Sequence, residues 1–406
     1  MLLGLVNGFV QELRNIHALL STITSETMHL ASLERRAFRV LLTGGIVILC
    51  LLLLLFTCNL TNSLSLTAFT HLLMFDFVSL IVALTSLWSK KKSATLNGYT
   101  FGYERFEVVA VFTATILAIL SSFFEVKEAV ERIFEPPEVH TNYLLLASLV
   151  AFVVHAFTVY GIENPAFNHV ILSSGSSWLQ EHATDISRTI CRFVPGLSRF
   201  LLPRINPFAL VGVGASTVMF IVHWLLSVDA SESVSSSSTH HHHGAIDPLP
   251  DTLGGIIISI MLFGTMVPMM LYSGRILLQT VPAHLVGPLD KAFREASTID
   301  GVLELRNEHV WSVGFGHLAG SLYVRVRRDA NEQLVLAHVT NRLNGLVKYL
   351  TVHVYKDDWT RTSATTMGWP STPIVFQNDI PVNTVPVTYT KPISEAVIMQ
   401  GNPHRH

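Results

Sequence analysis

The sequence predicts an α-helical membrane protein with six transmembrane helices, followed by a small cytosolic α+β domain of the ferredoxin-like type. Two observations lead to this fold class. Half of the 406 residues are hydrophobic and 14% are charged, whereas about 25% of the residues of an ordinary soluble domain are charged. The apolar residues also collect in runs of about 20, the length that crosses the hydrocarbon core of a bilayer. The net charge of −2 gives no reason to expect a nucleic-acid partner.

Six apolar runs are long enough to span the membrane. They cover residues 38–58, 68–89, 108–127, 142–161, 206–227 and 252–273. The segment before the first run is mixed and amphipathic, without the short apolar core and small-residue cleavage site of a signal peptide. We therefore predict that residues 1–36 form a cytosolic segment on the membrane surface.

Basic residues determine the predicted orientation, because cytosolic loops carry an excess of lysine and arginine. They lie before or at the start of the first span and in the second-to-third and fourth-to-fifth connections: Arg35, Arg36, Arg39, Lys90, Lys91, Lys92, Arg105, Arg188, Arg192, Arg199 and Arg204. Both termini are therefore predicted to be cytosolic. The opposite loops are uncharged, acidic or His-rich. We interpret the run from His240 to His243 as a solvated luminal loop, with a zinc-holding loop as the alternative.

After the sixth span, helical and strand patterns alternate. The order is helix, strand, strand, helix and strand, over 288–299, 301–315, 320–328, 331–347 and 348–358. This order suits a sheet with helices on one face. The last residues are rich in Pro and Thr without a period, which indicates disorder. The predicted domains are a transmembrane domain, an α+β domain and a disordered tail, over 37–276, 277–360 and 361–406.

Three motifs resemble those of the cation diffusion facilitator family. They are YTFGYERFEVVAVF at 99–112, LLQTVPAHL at 277–285 and His309-Val310-Trp311, within a resemblance that runs from about residue 28 to 360. The resemblance implies a transporter rather than an enzyme, with zinc as the transported ion and no catalytic or cofactor-binding residue. It also implies that the α+β domain serves dimerisation.

The resemblance implies a zinc site made of two ligand pairs with i, i+4 spacing, one pair on the second helix and one on the fifth. Aligning FDFVSL with the second-helix pattern places Asp76 at a ligand position, but Leu72 lies four residues earlier. His71 precedes Asp76 by five residues, which sets the two side chains about 140° apart around a regular helix. These two residues are therefore not expected to face one metal ion.

Two alignments are open for the fifth helix. One uses Glu181, His182 and Asp185, which have i+4 and i+3 spacing, and requires the helix to begin near residue 177. The other places Phe208 and Gly212 at the ligand positions, within a run that spans the membrane by itself. We prefer the second, because a full hydrophobic length is a stronger constraint than a short match. The predicted site is thus degenerate, with at most Asp76 retained, and Asp76 is read as a helix–helix hydrogen-bonding group.

The predicted function combines this loss of ligands with what the resemblance implies. It is a transport-inactive subunit of a heterodimeric, proton-coupled zinc antiporter, whose partner is a transport-competent zinc transporter of the same family. The resemblance places the complex in the Golgi, the trans-Golgi network and the early secretory pathway, where zinc enters the lumen and is loaded onto secretory enzymes. The alternatives are an active antiporter that uses Asp76 with Glu181, His182 and Asp185, and a scaffold or trafficking protein.

Two further histidines lie inside the predicted spans, His155 in the fourth and His223 in the fifth. A proton relay is one interpretation. We favour the other, a packed histidine that is hydrogen-bonded to a neighbouring helix.

Overall fold

The structure is a computed structural model that describes residues 24–92, 101–174, 206–236 and 248–356, together with isolated positions before 24, at 99 and between 181 and 192. The side chains of 229–236 are outside this description. The predicted disordered tail and the His240 to His243 run also lie outside the described residues.

Six helices are long and apolar enough to cross a membrane, which confirms the predicted number of spans. They are α1 (Arg35–Thr61), α2 (Leu64–Lys91), α3 (Glu104–Phe134), α4 (Leu144–Gly161), α6 (Pro207–Ser236) and α7 (Leu249–Leu277). A helical stretch over 24–33 precedes α1. The third span was predicted to end at residue 127 and to be followed by an acidic loop. The first part of this loop prediction is wrong, because α3 continues to Phe134. Ion pairs from Lys127 to Glu131 and from Arg132 to Glu128 support these added turns, as i, i+4 pairs do on helix surfaces.

A short helix, α5 (Pro165–Ser173), follows α4 and was not predicted. Its start has a recognisable signal, an asparagine cap followed by proline in the first turn. The side chain of Asn164 accepts a hydrogen bond from the Phe167 amide at 3.3 Å. It also donates to the Ser79 carbonyl at 2.8 Å, which attaches α5 to α2.

Helix α2 lies at the centre of the bundle and contacts α1, α3, α4, α5, α6 and α7. Its large apolar side chains Phe69, Leu72 and Leu73 are fully buried. The outer helices instead leave apolar side chains exposed, such as Leu52 and Phe56 of α1, as expected for surfaces that face lipid. A polar side chain in the buried middle of α2, such as Asp76, therefore lies against neighbouring helices.

The α+β domain follows α7 and confirms the predicted element order. It comprises α8 (Ala283–Ser297), β1 (Val302–Gly314), β2 (His317–Val326), α9 (Glu332–Leu343) and β3 (Val347–Lys356). Strands β1 and β2 are antiparallel, while β2 and β3 are parallel and are joined through α9. The turn between β1 and β2 contains Gly316 at a φ of +74°, a left-handed conformation that glycine adopts without strain.

Candidate functional site

Asp76 and His155 form a buried pair between α2 and α4. The Oδ2 atom of Asp76 lies 2.6 Å from the Nδ1 atom of His155. The two side chains are 2% and 1% exposed, respectively. The interhelical bond that was predicted for His155 is therefore present, and its partner is the aspartate at the predicted ligand position.

The same imidazole also reaches α6. The Nε2 atom of His155 lies 3.1 Å from the carbonyl oxygen of Phe208, in the first turn of that helix. A helix carbonyl has two lone pairs and can accept this bond beside its own helical bond. One histidine thus connects three membrane helices at one level.

The two hydrogen bonds determine how the protons are arranged. A carbonyl oxygen only accepts, so Nε2 of His155 must carry the proton that it donates to Phe208. One further proton lies between Nδ1 and Asp76, whether it stays on the imidazole or on the carboxyl group. In both arrangements the pair has no net charge, which lowers the cost of burying it in a membrane interior.

Gly212 allows the histidine to sit at this place. A Cβ atom at position 212 would lie 2.2 Å from Cδ2 and 2.4 Å from Nε2 of His155. On the other sides, Leu72 is fully buried, and the Phe208 ring packs on those of Phe75 and Phe167 at centroid distances of 5.2 and 5.3 Å. The structure therefore brings His155 against three of the four predicted ligand positions, Asp76, Phe208 and Gly212.

These residues do not fit a tetrahedral zinc ion. Zinc takes four nitrogen, oxygen or sulfur ligands in such a site, but Leu72 and Gly212 have no donor side chain, nor does Phe208. Both nitrogens of His155 are engaged in hydrogen bonds. Within the described part of the chain, no group of three or more His, Cys, Asp or Glu residues could hold a metal ion.

The second set of predicted candidates lies outside the spans. Glu181, His182 and Asp185 are exposed and helical. The fifth spanning helix begins at Pro207, whereas the alignment that uses these residues requires it to begin near 177. The structure therefore places Phe208 and Gly212 inside the fifth span and the other three residues before it.

His71 has its own partner and does not share that of Asp76. Its Nδ1 atom contacts Oε1 of Glu125 on α3. Sequence reasoning missed this buried carboxylate, because Glu125 lies at the end of the predicted third span, where the acidic stretch EVKEAVE was interpreted as the start of a loop. The apolar residues on both sides of Glu125 were the signal that could have identified it.

His223 differs from His155. It is half-buried in α6, and its Nδ1 atom is buried without a hydrogen-bond partner among the residues that the structure describes. The predicted interhelical bond is therefore absent at this nitrogen.

A polar contact of α7 connects the starts of two spanning helices. Asp251 is 1% exposed and accepts hydrogen bonds from the Ser63 hydroxyl and the Leu64 amide, both at 2.6 Å. It also accepts one from the Ser65 hydroxyl. These donors are at the N-terminus of α2, where a carboxylate is favoured by the free amides and the helix dipole.

The fold and the site define a class of protein. Residues 40–278 match the cation efflux transmembrane domain. The chain belongs to this family, the cation diffusion facilitators that its motifs resemble.

Its relatives define the branch of the family more narrowly. The chain is similar to Zinc transporter 6 of Danio rerio, with 45% identity over 91% of this chain and 73% of that protein. It is 44% identical to Zinc transporter 6 of Mus musculus, over 93% of this chain and 78% of the relative. With Zinc transporter 6 of Homo sapiens the identity is 47%, over 82% and 68% of the two chains.

Proposed function

We propose that this chain is a transport-inactive subunit of a heterodimeric, proton-coupled zinc antiporter. Its partner is a transport-competent family member similar to zinc transporter 5. The complex moves cytosolic zinc into the lumen of the Golgi, the trans-Golgi network and the early secretory pathway, where zinc is loaded onto secretory enzymes. Both termini of the chain face the cytosol.

The composition of the membrane site carries this proposal. Of the four ligand positions, only Asp76 has a donor side chain, while the others hold Leu72, Phe208 and Gly212. The Asp76 carboxylate is itself bonded to His155. Zinc requires a tetrahedral set of ligands. This site supplies a single carboxylate, which is already hydrogen-bonded.

The rest of the molecule supports a role as a subunit. All six spans are present, and the α+β domain has a continuous three-stranded sheet. A chain that has kept its fold but lacks transport ligands suits a protomer that positions and stabilises an active relative. In such a pair, the partner supplies the zinc site.

Reconstitution into vesicles tests the proposal. We expect zinc uptake, followed with a dye inside the vesicles, for the chain together with its partner and none for the chain alone. The variant Asp76→Asn keeps a hydrogen-bond partner for His155, because its amide can donate to Nδ1 while Nε2 still donates to Phe208. It is expected to leave uptake by the heterodimer unchanged. The matched control replaces the corresponding aspartate of the partner, which should abolish uptake.

Two outcomes would contradict parts of this function. Zinc uptake by the chain alone would show that the chain is itself a transporter. The absence of uptake even with an active partner, in complexes of normal amount, would leave the scaffold role as the function of this chain.

A further inference from the structure

We infer that His155 is the residue that holds the membrane site of this chain shut. Its imidazole occupies the space that any side chain at position 212 needs, so His155 and Gly212 exclude a ligand together. This inference rests on the proposed function in one respect, since the closed site is that of the transport-inactive subunit. It goes further by naming the residue that closes it.

The steric argument comes first. Real Cβ atoms essentially never approach another heavy atom within 3.0 Å, yet a Cβ at 212 would lie 2.2 Å from Cδ2 of His155. The ring is bonded at both ends, to Asp76 and to the Phe208 carbonyl. It can move away only by losing two buried hydrogen bonds, and a buried polar group left without a partner costs about 1–3 kcal/mol.

The cavity beside Asp76 and His155 is too small to hold the displaced imidazole of His155. A space of about 30 Å³ borders Asp76, which is room for about one water molecule. Polar side chains of Ser79, Asn164 and Asn206 line it. Water can therefore reach the neighbourhood of the pair, but the site itself is filled by the imidazole.

The hydrogen bonds also hold three helices in one arrangement. His155 joins α2, α4 and α6 through buried contacts. Transporters that work by alternating access move groups of helices against one another around the binding site. A bond network across three helices at the site level opposes such movement, so the residue that fills the site also restrains these helices.

A substitution at position 212 tests the steric part. In the full chain purified in detergent, Gly212→Ala is expected to lower the midpoint of thermal unfolding. The same change in a His155→Ala background should have little effect. The matched control is Gly264→Ala, since a Cβ built there meets nothing within 4 Å among the described residues beyond its chain neighbours and its own helix backbone. If Gly212→Ala does not accumulate as folded protein, recovery of folded protein in the double variant with His155→Ala equally supports the steric conflict. The inference is refuted if Gly212→Ala and Gly264→Ala are tolerated equally with His155 in place.

Restoring ligands tests whether His155 is what excludes the metal. One variant carries Leu72→His, Phe208→His and Gly212→Asp with His155 retained, and a second adds His155→Ala. The probe is Co²⁺ alone, whose visible absorption reports tetrahedral coordination. We expect tetrahedral cobalt only in the second variant. Equal binding in both, or binding in neither, would show that His155 does not control the site. None of these measurements involves transport, so they can fail while the proposed function stands.

Discussion

The Nδ1 atom of His71 contacts the Oε1 atom of Glu125, so the two ionisable residues of the segment 71–76 face different neighbouring helices. His71 is turned toward α3, while Asp76 is turned toward His155 of α4. The rotation of about 140° between positions five residues apart accounts for this division. The side chain of Glu125 is 3% exposed, and its Oε2 atom has no hydrogen-bond partner among the described residues. The contact with His71 is therefore the polar contact that can offset the burial of Glu125.

Removing His71 should destabilise the bundle more than removing the whole pair. His71→Leu leaves the Glu125 carboxylate buried without a partner, which is costly in a membrane interior. We expect Glu125→Gln to recover part of the loss, with a coupling of about 0.6–1.7 kcal/mol, from the average to the maximum found for hydrogen-bonded side chains between membrane helices. The measurement is a double-mutant cycle on the free energy of unfolding in mixed micelles.

An exposed pair on α3 serves as the control for this cycle. Lys127 and Glu131 are 54% and 57% exposed, respectively, and a helix pair of this kind contributes about 0.3–0.5 kcal/mol. If the coupling free energy of His71 and Glu125 does not exceed the control value, their buried contact stabilises the bundle no more than an exposed surface pair does.

Asp251 should be required for the start of α2. Asp251→Ala removes the acceptor of the Ser63 hydroxyl and the Leu64 amide, and we expect a loss of about 2 kcal/mol, the upper end for a helix N-cap. Deuterium exchange at the amides of residues 64–66 should rise. Asp251→Asn retains an acceptor oxygen and should lose less. Asp290→Ala, an exposed aspartate on α8, is the control, and an equal effect there would argue against a capping role.

The fold could be predicted from the sequence because its signals are local. The length of each apolar run and the period of each later pattern depend on a few neighbouring residues. The ends of the elements were less accurate. The third span was predicted to stop at 127, within the charged stretch that begins at Glu125. Lys127 and Glu131 instead pair along the helix, and α3 reaches Phe134.

The site could be predicted only in part, for a physical reason. Alignment identifies the positions of Leu72, Phe208 and Gly212, and none of these residue types binds metal. Which side chain fills the vacated space depends on how α4 is rotated against α2 and α6. Periodicity places His155 in a span but leaves open which helix it faces, because α4 is apolar on nearly all sides.

Glu104 connects the membrane domain to the α+β domain, and reversing its charge should loosen β3. Its carboxylate lies 2.5 Å from Nζ of Lys348 and 2.8 Å from Nδ1 of His317. Burial lowers the pKa of Lys348, but the hydrogen bond and charge of Glu104 outweigh burial and raise it. A raised pKa means that the pair stabilises the fold below the ordinary lysine pKa and loses this effect only as pH rises through the raised value.

Charge reversal in the full chain measures this connection. Glu104→Lys or Lys348→Glu alone should increase deuterium exchange in β3, and the double variant should restore protection. Surface pairs contribute about 0.2–1 kcal/mol, so the change in exchange is modest. The control is the exposed pair Lys356 and Glu332, which lies within the α+β domain. If the Glu104–Lys348 double variant exchanges as fast as the single ones, the two residues are not coupled.

His169 should make the contact between α5 and the α+β domain sensitive to acid. Its Nε2 atom lies 3.1 Å from the Tyr272 hydroxyl, and its ring packs on that of Phe315 at a centroid distance of 5.4 Å. Burial lowers the pKa of His169, and His284, His317 and Lys90 add to this effect. The unfolded chain therefore binds a proton more readily than the folded one, so stability is lost as pH falls below about 6.5, the ordinary histidine pKa.

We expect deuterium exchange in α5, corrected for the intrinsic rate, to rise between pH 7.5 and 5.5. His169→Phe keeps the ring without the charge and should abolish this rise, while His353→Phe, an exposed position on β3, should retain it. A rise that persists in His169→Phe would assign the acid sensitivity to another group.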